Sequence, residues 1–526
     1  MQCPIINFKK RNWKTDTRLR ITLGELLHQC ASEYGDRPFL TIAESGRSYS
    51  YQAFESLVNQ LGHGLLARYT GNLNYLAIML ENSVEYLAMS YALKKIDSTE
   101  VAINPAFRAV ALSRMIDLTG ASVLLTSEAQ LPAIDQIRAD IPHVRCLIMI
   151  NGVESARALF PELEVISFQQ VLSEQTGHIE SKAKDTDVAS ILFTSGTTGV
   201  SKGCLLSHRY AVRTAENMVW PYELTADDIN YTPYPLSHIG PAYYDVLPSM
   251  LVGGQVIMRA GFSLSIFWKE IQKYGVTWFM MLGSVQQLLW SAPASAEECN
   301  HKVRIAWGTP LPVPRNDFEA RFNLRLIPGG GYGSTDAGWV AVPQWEHEGG
   351  IVLDHFEVAI VDENDDRVPV NHTGELVVRP REPGVMSDGY FGMPEKTAES
   401  RRNLWFHTGD QARLDDQGHL YFLHRMSDRI RVKGEMVSAY EVEEVILTHP
   451  QVEDCAVIGV PANAGEEDIK LFVVKKPLSQ LDGDQLREYC VERMAKFMVP
   501  LHIVFIDSMP RTSTGKPEKG TLSSMA

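Results

Sequence analysis

Between residues 75 and 330, short apolar runs of strand length alternate with segments whose apolar residues recur at helical spacing. The runs occupy 76–80, 122–126, 145–150, 190–194, 255–259, 278–282 and 304–307. One intervening segment places Ile266, Phe267, Ile271 and Tyr274 on one face of a helix. Because such alternation buries sheets between layers of helices, the sequence predicts an α/β fold with largely parallel sheets that bind ligands at the carboxyl ends of strands.

The pattern changes near residue 352 and again beyond residue 424. Segments 352–353, 357–361 and 374–379, with polar turns between them, predict antiparallel hairpins that close a large domain. After them, helices over 441–447 and 486–498 and strands over 455–460 and 471–475 predict a small α+β domain. At 526 residues the chain is too long for one core. We therefore predict a large N-terminal domain over 1–424, built of layered βα subdomains and an antiparallel β portion, and a small mobile domain over 425–526.

The charge balance excludes several classes of partner. The net charge is −15, so the chain offers no basic surface for nucleic acid or an anionic bilayer. Its seven cysteines are scattered and never spaced as Cys-x-x-Cys, which favours free thiols in a reducing compartment. The N-terminal twenty residues lack a signal-peptide core, and no run of 18 apolar residues occurs. We expect a cytoplasmic protein without a transmembrane segment.

A loop rich in hydroxyls and glycines follows the apolar run at 190–194. Its glycines allow backbone N–H groups to surround an anion, its hydroxyls donate further hydrogen bonds, and Lys202 adds one positive charge. A P-loop has four residues between its glycines and ends in Gly-Lys-Ser/Thr. Here Gly196 and Gly199 are three apart, and Lys202 follows Ser201. The segment therefore predicts a polyphosphate site of another kind, with ATP as the expected ligand.

Three further clusters carry polar chemistry. Residues 329–336 combine glycines that allow close approach to a flat ring with an aromatic residue, a hydroxyl and a carboxylate suited to magnesium. Residues 405–410 place Asp410 after a tight turn, where it can accept both hydroxyls of a ribose. Residues 510–516 place Lys516 beyond a turn near the C-terminus. Each cluster alone is more typical of an ordinary loop or tail, so the prediction depends on their combination.

Taken in order, these segments resemble the adenylate-forming superfamily of acyl-CoA synthetases, adenylation domains and beetle luciferases. The phosphate loop of that superfamily matches 194–203, and its Tyr-Gly-x-Thr-Glu segment matches 332–336. Its Thr-Gly-Asp segment matches 408–410, and its terminal Pro-x-x-x-x-Gly-Lys matches 510–516. Around Leu282-Gly283 and the Gly434-Glu435 turn the chain is most similar to the crotonobetaine/carnitine-CoA ligase-like branch.

The resemblance implies a two-step ligase. A carboxylate attacks the α-phosphorus of ATP to give an acyl-adenylate and pyrophosphate, and the thiol of coenzyme A then displaces AMP. The implied partners are a small carboxylic acid, ATP, Mg²⁺ and coenzyme A; a homodimer stays open.

The resemblance also implies a role for individual residues. The phosphate loop comprises Thr194, Ser195, Gly196, Thr197, Thr198, Gly199 and Lys202. The adenine slot and its surroundings comprise Gly308, Thr309, Gly330, Gly331, Tyr332 and Gly333. Thr335 would meet the α-phosphate, and Asp336 the magnesium. Asp410 and Arg425 would hold the ribose region, and Lys516 would act in the first step.

In the family the small domain rotates between the two steps. The hinge position is Ser427 here, beside Asp428, and the sequence leaves open which of the two carries the turn. Rotation would withdraw Lys516 and bring Lys433 and Gly434 to the thiol. His238 matches a residue that gates the acyl site between the steps; capping the next helix is the alternative.

Departures from the family pattern bear on the acid. Asp336 replaces a glutamate, so magnesium could be held through water. Trp307 replaces a small residue and would shorten the acyl pocket, unless it only fills the core. Gly240 stands where adenylation domains for α-amino acids carry an aspartate, which disfavours such substrates. We expect a short or medium, polar, carnitine-like acid. A stand-alone ligase that loads a carrier protein and a non-catalytic nucleotide-binding sensor remain alternatives.

Overall fold

The computed structural model describes residues 20–69, 73–194, 201–308, 315–327, 331–344, 347–425, 429–462, 466–510, 517 and 519–525. In this part of the chain no helix is both long enough and apolar enough to cross a bilayer.

The strands are numbered in chain order. They are β1 (Pro38–Ile42), β2 (Ser48–Ser50), β3 (Tyr75–Ile78), β4 (Thr99–Ala102), β5 (Val123–Thr126), β6 (Cys146–Met149), β7 (Glu164–Ser167), β8 (Val188–Thr194), β9 (Lys202–Ser207), β10 (Ile229–Thr232), β11 (Gln255–Met258), β12 (Trp278–Met280), β13 (Ile305–Trp307), β14 (Leu326–Ile327), β15 (Tyr332–Ser334), β16 (Gly338–Val342), β17 (Gly350–Val352), β18 (Phe356–Val361), β19 (Gly374–Pro380), β20 (Phe406–Leu414), β21 (His419–Arg425), β22 (Arg429–Val432), β23 (Glu435–Ser438), β24 (Val452–Pro461), β25 (Glu467–Lys475) and β26 (His502–Phe505).

The α-helices follow the same numbering. They are α1 (Leu23–Tyr34), α2 (Tyr51–Tyr69), α3 (Val84–Lys95), α4 (Ala109–Thr119), α5 (Leu131–Gln136), α6 (Val153–Leu159), α7 (Phe168–Val171), α8 (His208–Val219), α9 (Leu247–Val252), α10 (Phe267–Tyr274), α11 (Gly283–Ser291), α12 (Arg315–Phe322), α13 (Pro394–Ser400), α14 (Ala439–Leu447), α15 (Gly483–Val491) and α16 (Lys519–Ser524). Short 3₁₀ turns occupy Glu128–Gln130, Ala296–Cys299, Arg402–Leu404 and Lys496–Met498, and a π-helix occupies Gly240–Val246.

Two seven-stranded sheets form the larger part of the N-terminal domain. The first has the strand order β7-β6-β5-β3-β4-β8-β9, and the second has the order β14-β13-β12-β10-β11-β1-β2. All neighbours are parallel except β8 with β9 and β1 with β2. One continuous apolar core joins both sheets to helices α1, α2, α3 and α8. The other face of the first sheet packs on α4 and α5.

A third sheet and a small C-terminal domain complete the fold. The third sheet is antiparallel, with the order β15-β16-β17-β21-β20-β19-β18. The C-terminal domain pairs β22 with β23 and builds a separate sheet in the order β24-β25-β26. It has its own core, in which α14 and α15 cover the strands. The predicted fold class, mixed α/β with a large N-terminal and a smaller C-terminal domain, is confirmed.

The predicted apolar runs correspond to β3, β5, β6, β8, β11, β12 and β13, within a few residues at each end. The helix expected over 486–498 differs, because α15 ends at Val491 and a 3₁₀ turn follows at Lys496–Met498. Met494 and Met498 are still buried in the small core. A helix and a break followed by a turn can bury the same apolar residues, so spacing alone did not separate them.

A buried ion pair and its hydrogen bonds connect α3, β4 and β8, the strand that leads into the predicted phosphate loop. Lys94 of α3 places its Nζ 2.6 Å from Oε2 of Glu100 in β4. Ser90 and Ser190 donate hydrogen bonds of 2.8 and 3.0 Å to the same carboxylate oxygen. The hydroxyl of Tyr243, on the π-helix, donates to Ser190 Oγ at 3.1 Å. Burial opposes ionisation of Glu100 and is the largest single effect, but the charge of Lys94 and the hydrogen bonds from Lys94, Ser90 and Ser190 together outweigh it and lower the carboxyl pKa. The network therefore joins the π-helix to β8, the strand that leads into the loop.

We expect Glu100→Ala to destabilise the large domain by about 3–5 kcal/mol, because it leaves the Lys94 ammonium buried without its carboxylate. The measurement is urea unfolding followed by a signal from the large domain. The double variant Lys94→Met/Glu100→Leu, which removes both charges, should lose less. As a control, Glu154→Ala removes an exposed partner of Arg157 and should cost less than about 1 kcal/mol. A loss for Glu100→Ala no larger than that of the control would contradict this account.

Candidate active site

A cavity of about 210 Å³ lies where the two domains meet. Its lining residues are Ala102, Asn104, Phe107, Phe193, Thr194, Ser237, His238, Ile239, Tyr244, Gly333, Ser334, Thr335, Asp336, Glu435, Val437, Glu441, Phe497 and Met498. Thr194 is the last residue of β8, Thr335 and Asp336 follow β15, and His238 immediately precedes the turn into the π-helix. The fold thus brings five predicted site residues, Thr194, His238, Gly333, Thr335 and Asp336, to one cavity.

Lys202 lies beside this cavity at the start of β9. It is paired with Thr194 in the β8–β9 register, and its side chain is buried. Its Nζ lies 4.5 Å from the centre of the Tyr390 ring. Burial lowers the pKa of Lys202, while the negative charge of Asp336 acts in the opposite direction. The ammonium and the Asp336 carboxylate therefore share one region, next to the loop predicted to bind polyphosphate.

Cys204 is a further group at this point that sequence reasoning did not connect with the site. The thiol is fully buried; it donates to Asp336 Oδ1 at 3.6 Å and lies 3.7 Å from Thr194 Oγ1. Burial raises the thiol pKa well above its usual range, and the neighbouring Asp336 carboxylate adds to the shift. The neutral thiol thus fixes one oxygen of Asp336. A lone cysteine two residues after Lys202 gave no signal for this contact.

Tyr332 and Asp410 form a second polar group, set back from the cavity. The Tyr332 hydroxyl donates to Asp410 Oδ2 at 2.6 Å, and the Asp410 backbone N–H donates to Thr408 Oγ1 at 3.0 Å. Arg425, the last residue of β21, stands opposite Asp410 in the antiparallel register. The tyrosine and the aspartate, predicted for different parts of a nucleotide, are therefore direct neighbours.

The predicted glycines lie at close approaches between segments. Gly308 directly follows β13 and has a φ of +146°, and a Cβ there would lie 1.8 Å from the Met281 carbonyl oxygen. Only glycine fits at that point. Gly331 and Gly333 lie against the ring of Trp339.

The tip of the β22–β23 hairpin of the small domain contacts the large domain beside the cavity. Lys433 and Gly434 have φ values of +51° and +82°, and a Cβ on Gly434 would lie 2.5 Å from Leu282 Cδ1. The tip therefore requires glycine for both its backbone and its contact with the large domain. Gly434 touches the beginning of α11, whereas the side chain of Lys433 is exposed.

An ion pair between the domains lies next to this tip. Glu435 Oε2 lies 3.1 Å from His238 Nε2. Burial opposes the charged form of both groups and is the largest single effect, but the partner's charge and the hydrogen bond together outweigh it, so the pKa of His238 is raised and the pKa of Glu435 is lowered. Both groups are therefore charged between the pKa of Glu435 and the pKa of His238. The stabilisation of the domain contact by this pair is lost as the pH rises through the pKa of His238.

Two more contacts hold the small domain against the first sheet. Ser201, within the predicted phosphate loop, donates a short hydrogen bond to Glu441 of α14. Arg114 of α4 forms a bidentate pair with Glu444, with N–O distances of 2.6 and 2.7 Å. Burial raises the pKa of Glu441 from 4.5 to about 7, and the Ser201 hydrogen bond opposes this shift. None of these partners was predicted, because each pair joins residues 240 or more positions apart.

Aromatic rings close one end of the cavity. Tyr244, which lines it, has its ring centre 5.1 Å from that of Trp339 and 6.3 Å from that of Trp307. The two tryptophans are 5.8 Å apart, and Tyr222 stacks on Trp307 at 6.2 Å. We call these four residues the aromatic wall. Tyr244 is the member of the wall that lines the cavity, and the other three rings pack behind it.

Other predicted residues lie outside the described part of the chain. They are Ser195, Gly196, Thr197, Thr198, Gly199, Thr309, Gly330, Ser427, Asp428 and Lys516.

Comparison with known proteins identifies the two parts of the chain separately. Residues 27–391 match the model of the family described as AMP-binding enzyme. Residues 441–516 match the model described as AMP-binding enzyme C-terminal domain. Together they cover both sides of the cavity.

Curated relatives are named as ligases. The crotonobetaine/carnitine–CoA ligase of Proteus mirabilis is 30% identical over 508 residues, which cover 92% of this chain and 96% of the relative. The enzyme of the same name from Citrobacter koseri is 29% identical over 520 residues, covering 95% and 98%. These names, together with the family, make the chain a ligase-type enzyme.

Solved structures share the fold. A double mutant of o-succinylbenzoate CoA synthetase from Bacillus subtilis superposes with a TM-score of 0.80 at 21% identity, covering 96% of this chain and 99% of its own. An amide bond synthetase from Marinactinospora thermotolerans also has a TM-score of 0.80, at 22% identity and the same coverage.

We expect Glu441→Gln to make docking of the small domain less dependent on pH. The docked carboxyl has a pKa of about 7 against 4.5 when free, so docking binds a proton. Docking is then favoured fully below about pH 4.5 and weakens by up to about 3 kcal/mol as the pH rises to 7. The amide cannot ionise, so this loss should vanish. Fluorescence energy transfer between dyes on the two domains, recorded from pH 5 to 8.5, measures the docked fraction at each pH.

The matched control is Glu444→Gln, which breaks the more exposed pair with Arg114. It should weaken docking but keep most of the pH dependence, because the charge of Glu444 contributes less than burial to the raised pKa of Glu441. If the wild type and Glu441→Gln gave superimposable profiles, Glu441 would not couple docking to protons.

Proposed function

The chain belongs to the AMP-binding enzyme family, and from this premise we propose that it is an AMP-forming ligase that joins a short or medium carboxylic acid to coenzyme A. The observation that carries the proposal is the shared cavity. It collects the hydroxyls of Thr194 and Thr335, the Asp336 carboxylate and the His238–Glu435 pair from both domains. Hydroxyls and a cation near the phosphate loop suit ATP, and the docked hairpin tip suits a second substrate that arrives after the first step.

In the first step the acid's carboxylate oxygen attacks the α-phosphorus of ATP, and the bond from that phosphorus to the pyrophosphate oxygen breaks. The phosphate loop, from Thr194 to Lys202, would hold the leaving pyrophosphate. Thr335 would hold the α-phosphate, and Lys516 would stabilise the negative charge that develops there. Asp410 would accept the ribose hydroxyls with Arg425 nearby, and the adenine would lie along Gly308, Thr309, Gly330, Gly331, Tyr332 and Gly333.

The donor set fits magnesium. Magnesium prefers oxygen ligands, and the cavity offers the side-chain oxygens of Thr194, Thr335 and Asp336. The Cys204 thiol donates to Oδ1 of Asp336, so Oδ2 of the same carboxylate would be the ligand atom. Magnesium, when bound, would neutralise phosphate charge. Because Asp336 is shorter than glutamate, a water molecule would bridge its carboxylate and the magnesium ion.

In the second step the thiol sulfur of coenzyme A attacks the acyl carbonyl carbon, and AMP leaves. The docked arrangement supports this step, since Glu435 lines the cavity and the preceding Lys433 and Gly434 form the hairpin tip, where Gly434 contacts Leu282. His238, held by Glu435, would gate the acyl site. The small domain would turn between the steps about Ser427 or Asp428, with the boundary near residue 425.

The aromatic wall supports a short acid with a polar or cationic end. Trp307 and Trp339 fill the space beyond Tyr244, which suits few carbons. Ring faces of tryptophan and tyrosine also attract quaternary ammonium groups. The relatives named as crotonobetaine/carnitine–CoA ligases act on acids of this kind by name. We therefore propose a carnitine-like acid.

Two alternatives make different predictions. A ligase that loads a carrier protein would not accept free coenzyme A but would acylate the holo-carrier. A nucleotide-binding sensor would release no AMP with any acid. The Lys202–Asp336 arrangement and the charged His238–Glu435 pair favour a catalyst over a sensor.

The test is acid-dependent AMP release over a carboxylate panel, with ATP and coenzyme A present. We expect rates with C4–C8 polar or trimethylammonio acids to exceed those with long-chain acids by at least about tenfold, because extra carbons meet the aromatic wall. Trp307→Ala should shift the optimum toward longer acids. Activity with long-chain acids alone would contradict the proposed substrate class, and no AMP release with any acid would contradict the function.

A further inference from the structure

Four buried polar atoms of the aromatic wall lack a hydrogen-bond partner. They are the hydroxyls of Tyr222 and Tyr244 and the indole N–H groups of Trp307 and Trp339, and no described residue satisfies them. The four side chains are 2%, 6%, 9% and 8% exposed, respectively. Each is thus nearly removed from water without a compensating contact.

Such a cluster is costly unless something completes it. An unsatisfied buried donor costs about 1–3 kcal/mol, and folded proteins leave few of them. Four on adjoining rings indicate a site that a ligand or ordered water completes. Because indole N–H groups only donate, the missing partner must be a hydrogen-bond acceptor.

The wall is continuous with the catalytic cavity. Tyr244 lines that cavity together with His238 and Thr335, and its ring touches both tryptophans. An acid whose carboxylate lies near Thr335 would direct its other end toward Tyr244. Tyr244 is therefore the member of the wall that meets this part of the substrate, and the rings of Tyr222, Trp307 and Trp339 pack behind it.

The wall lacks a charge that could hold an anion. Burial raises the pKa of Tyr244 without a contribution from any charged neighbour among the described residues, and for Tyr222 the further contribution comes from Tyr244 alone. A second carboxylate would be buried there without a counter-ion, which is strongly unfavourable. A neutral oxygen carries no such penalty.

We infer that the wall recognises a neutral oxygen on the acyl chain, a hydroxyl or carbonyl group, so that the enzyme selects oxygen-bearing acids over otherwise identical acids without that oxygen. The inference rests on the proposed function and narrows its substrate class. Ring faces hold the end of the acid by shape or by cation–π attraction, and the ring edges supply the hydrogen bonds.

The test uses matched acids that differ by one oxygen: 3-hydroxy-4-trimethylammoniobutanoate against 4-trimethylammoniobutanoate, 3-hydroxybutanoate against butanoate, and 3-oxohexanoate against hexanoate. AMP release with ATP and coenzyme A gives kcat/KM for each. We expect the oxygen-bearing member of the preferred pair to have the higher kcat/KM by roughly ten- to a hundredfold, the value of one or two hydrogen bonds.

Variants locate the effect. Tyr244→Phe and Trp339→Phe keep an aromatic ring and remove a donor, so each should lower the ratio within the pair toward one. Tyr243→Phe is the matched control, because its hydroxyl is already bonded to Ser190 and lies outside the wall. It should leave the ratio unchanged.

The outcomes separate the two proposals. Equal kcat/KM within every pair that the enzyme uses would overturn the inference and leave the ligase function standing. The same holds if Tyr244→Phe and Trp339→Phe leave the ratio within the preferred pair unchanged. A preferred substrate without such an oxygen would do the same. Absence of AMP release with all six acids and with the wider panel would overturn both.

Discussion

The contact between the hairpin tip of the small domain and the large domain is the constraint on which the site depends. Gly434 approaches Leu282 so closely that a side chain would not fit, and this approach lets Glu435 reach His238. The Ser201–Glu441 and Arg114–Glu444 contacts hold the same docking at a second place. Without the small domain the cavity would lose Glu435, Val437, Glu441, Phe497 and Met498 from its lining. The cavity is therefore a property of the docked pair.

This docking also bears on the proposed two-step mechanism. With Glu435 at His238, one side of the cavity is occupied by the β22–β23 hairpin. If Lys516 of the same domain acts on the α-phosphate, as we propose, the lysine and the hairpin would compete for one position. The raised pKa of Glu441 makes the competition sensitive to pH, because this carboxyl is neutral most readily when it is docked.

The sequence was sufficient for the local features. The run at 190–194 predicted β8 because buried parallel strands are short and continuously apolar. The same reasoning missed β9, whose Lys202–Ser207 segment mixes a lysine, a glycine and a cysteine. Thr335, Asp336 and His238 were found from local motifs, and the fold brings them to one cavity. Trp307 was predicted beside the acyl pocket, but its packing against Tyr222, Tyr244 and Trp339, and the contacts of Cys204 and Glu435, depend on tertiary structure that no local pattern encodes.

We propose that one cavity serves two half-reactions through two positions of the small domain. The direct measurement compares Lys516→Ala and Glu435→Ala in ATP–pyrophosphate exchange and in thioester formation from supplied acyl-adenylate. The account predicts opposite losses: Lys516→Ala loses exchange and keeps thioester formation, whereas Glu435→Ala keeps exchange and loses thioester formation. Equal loss of both half-reactions in each variant would contradict it.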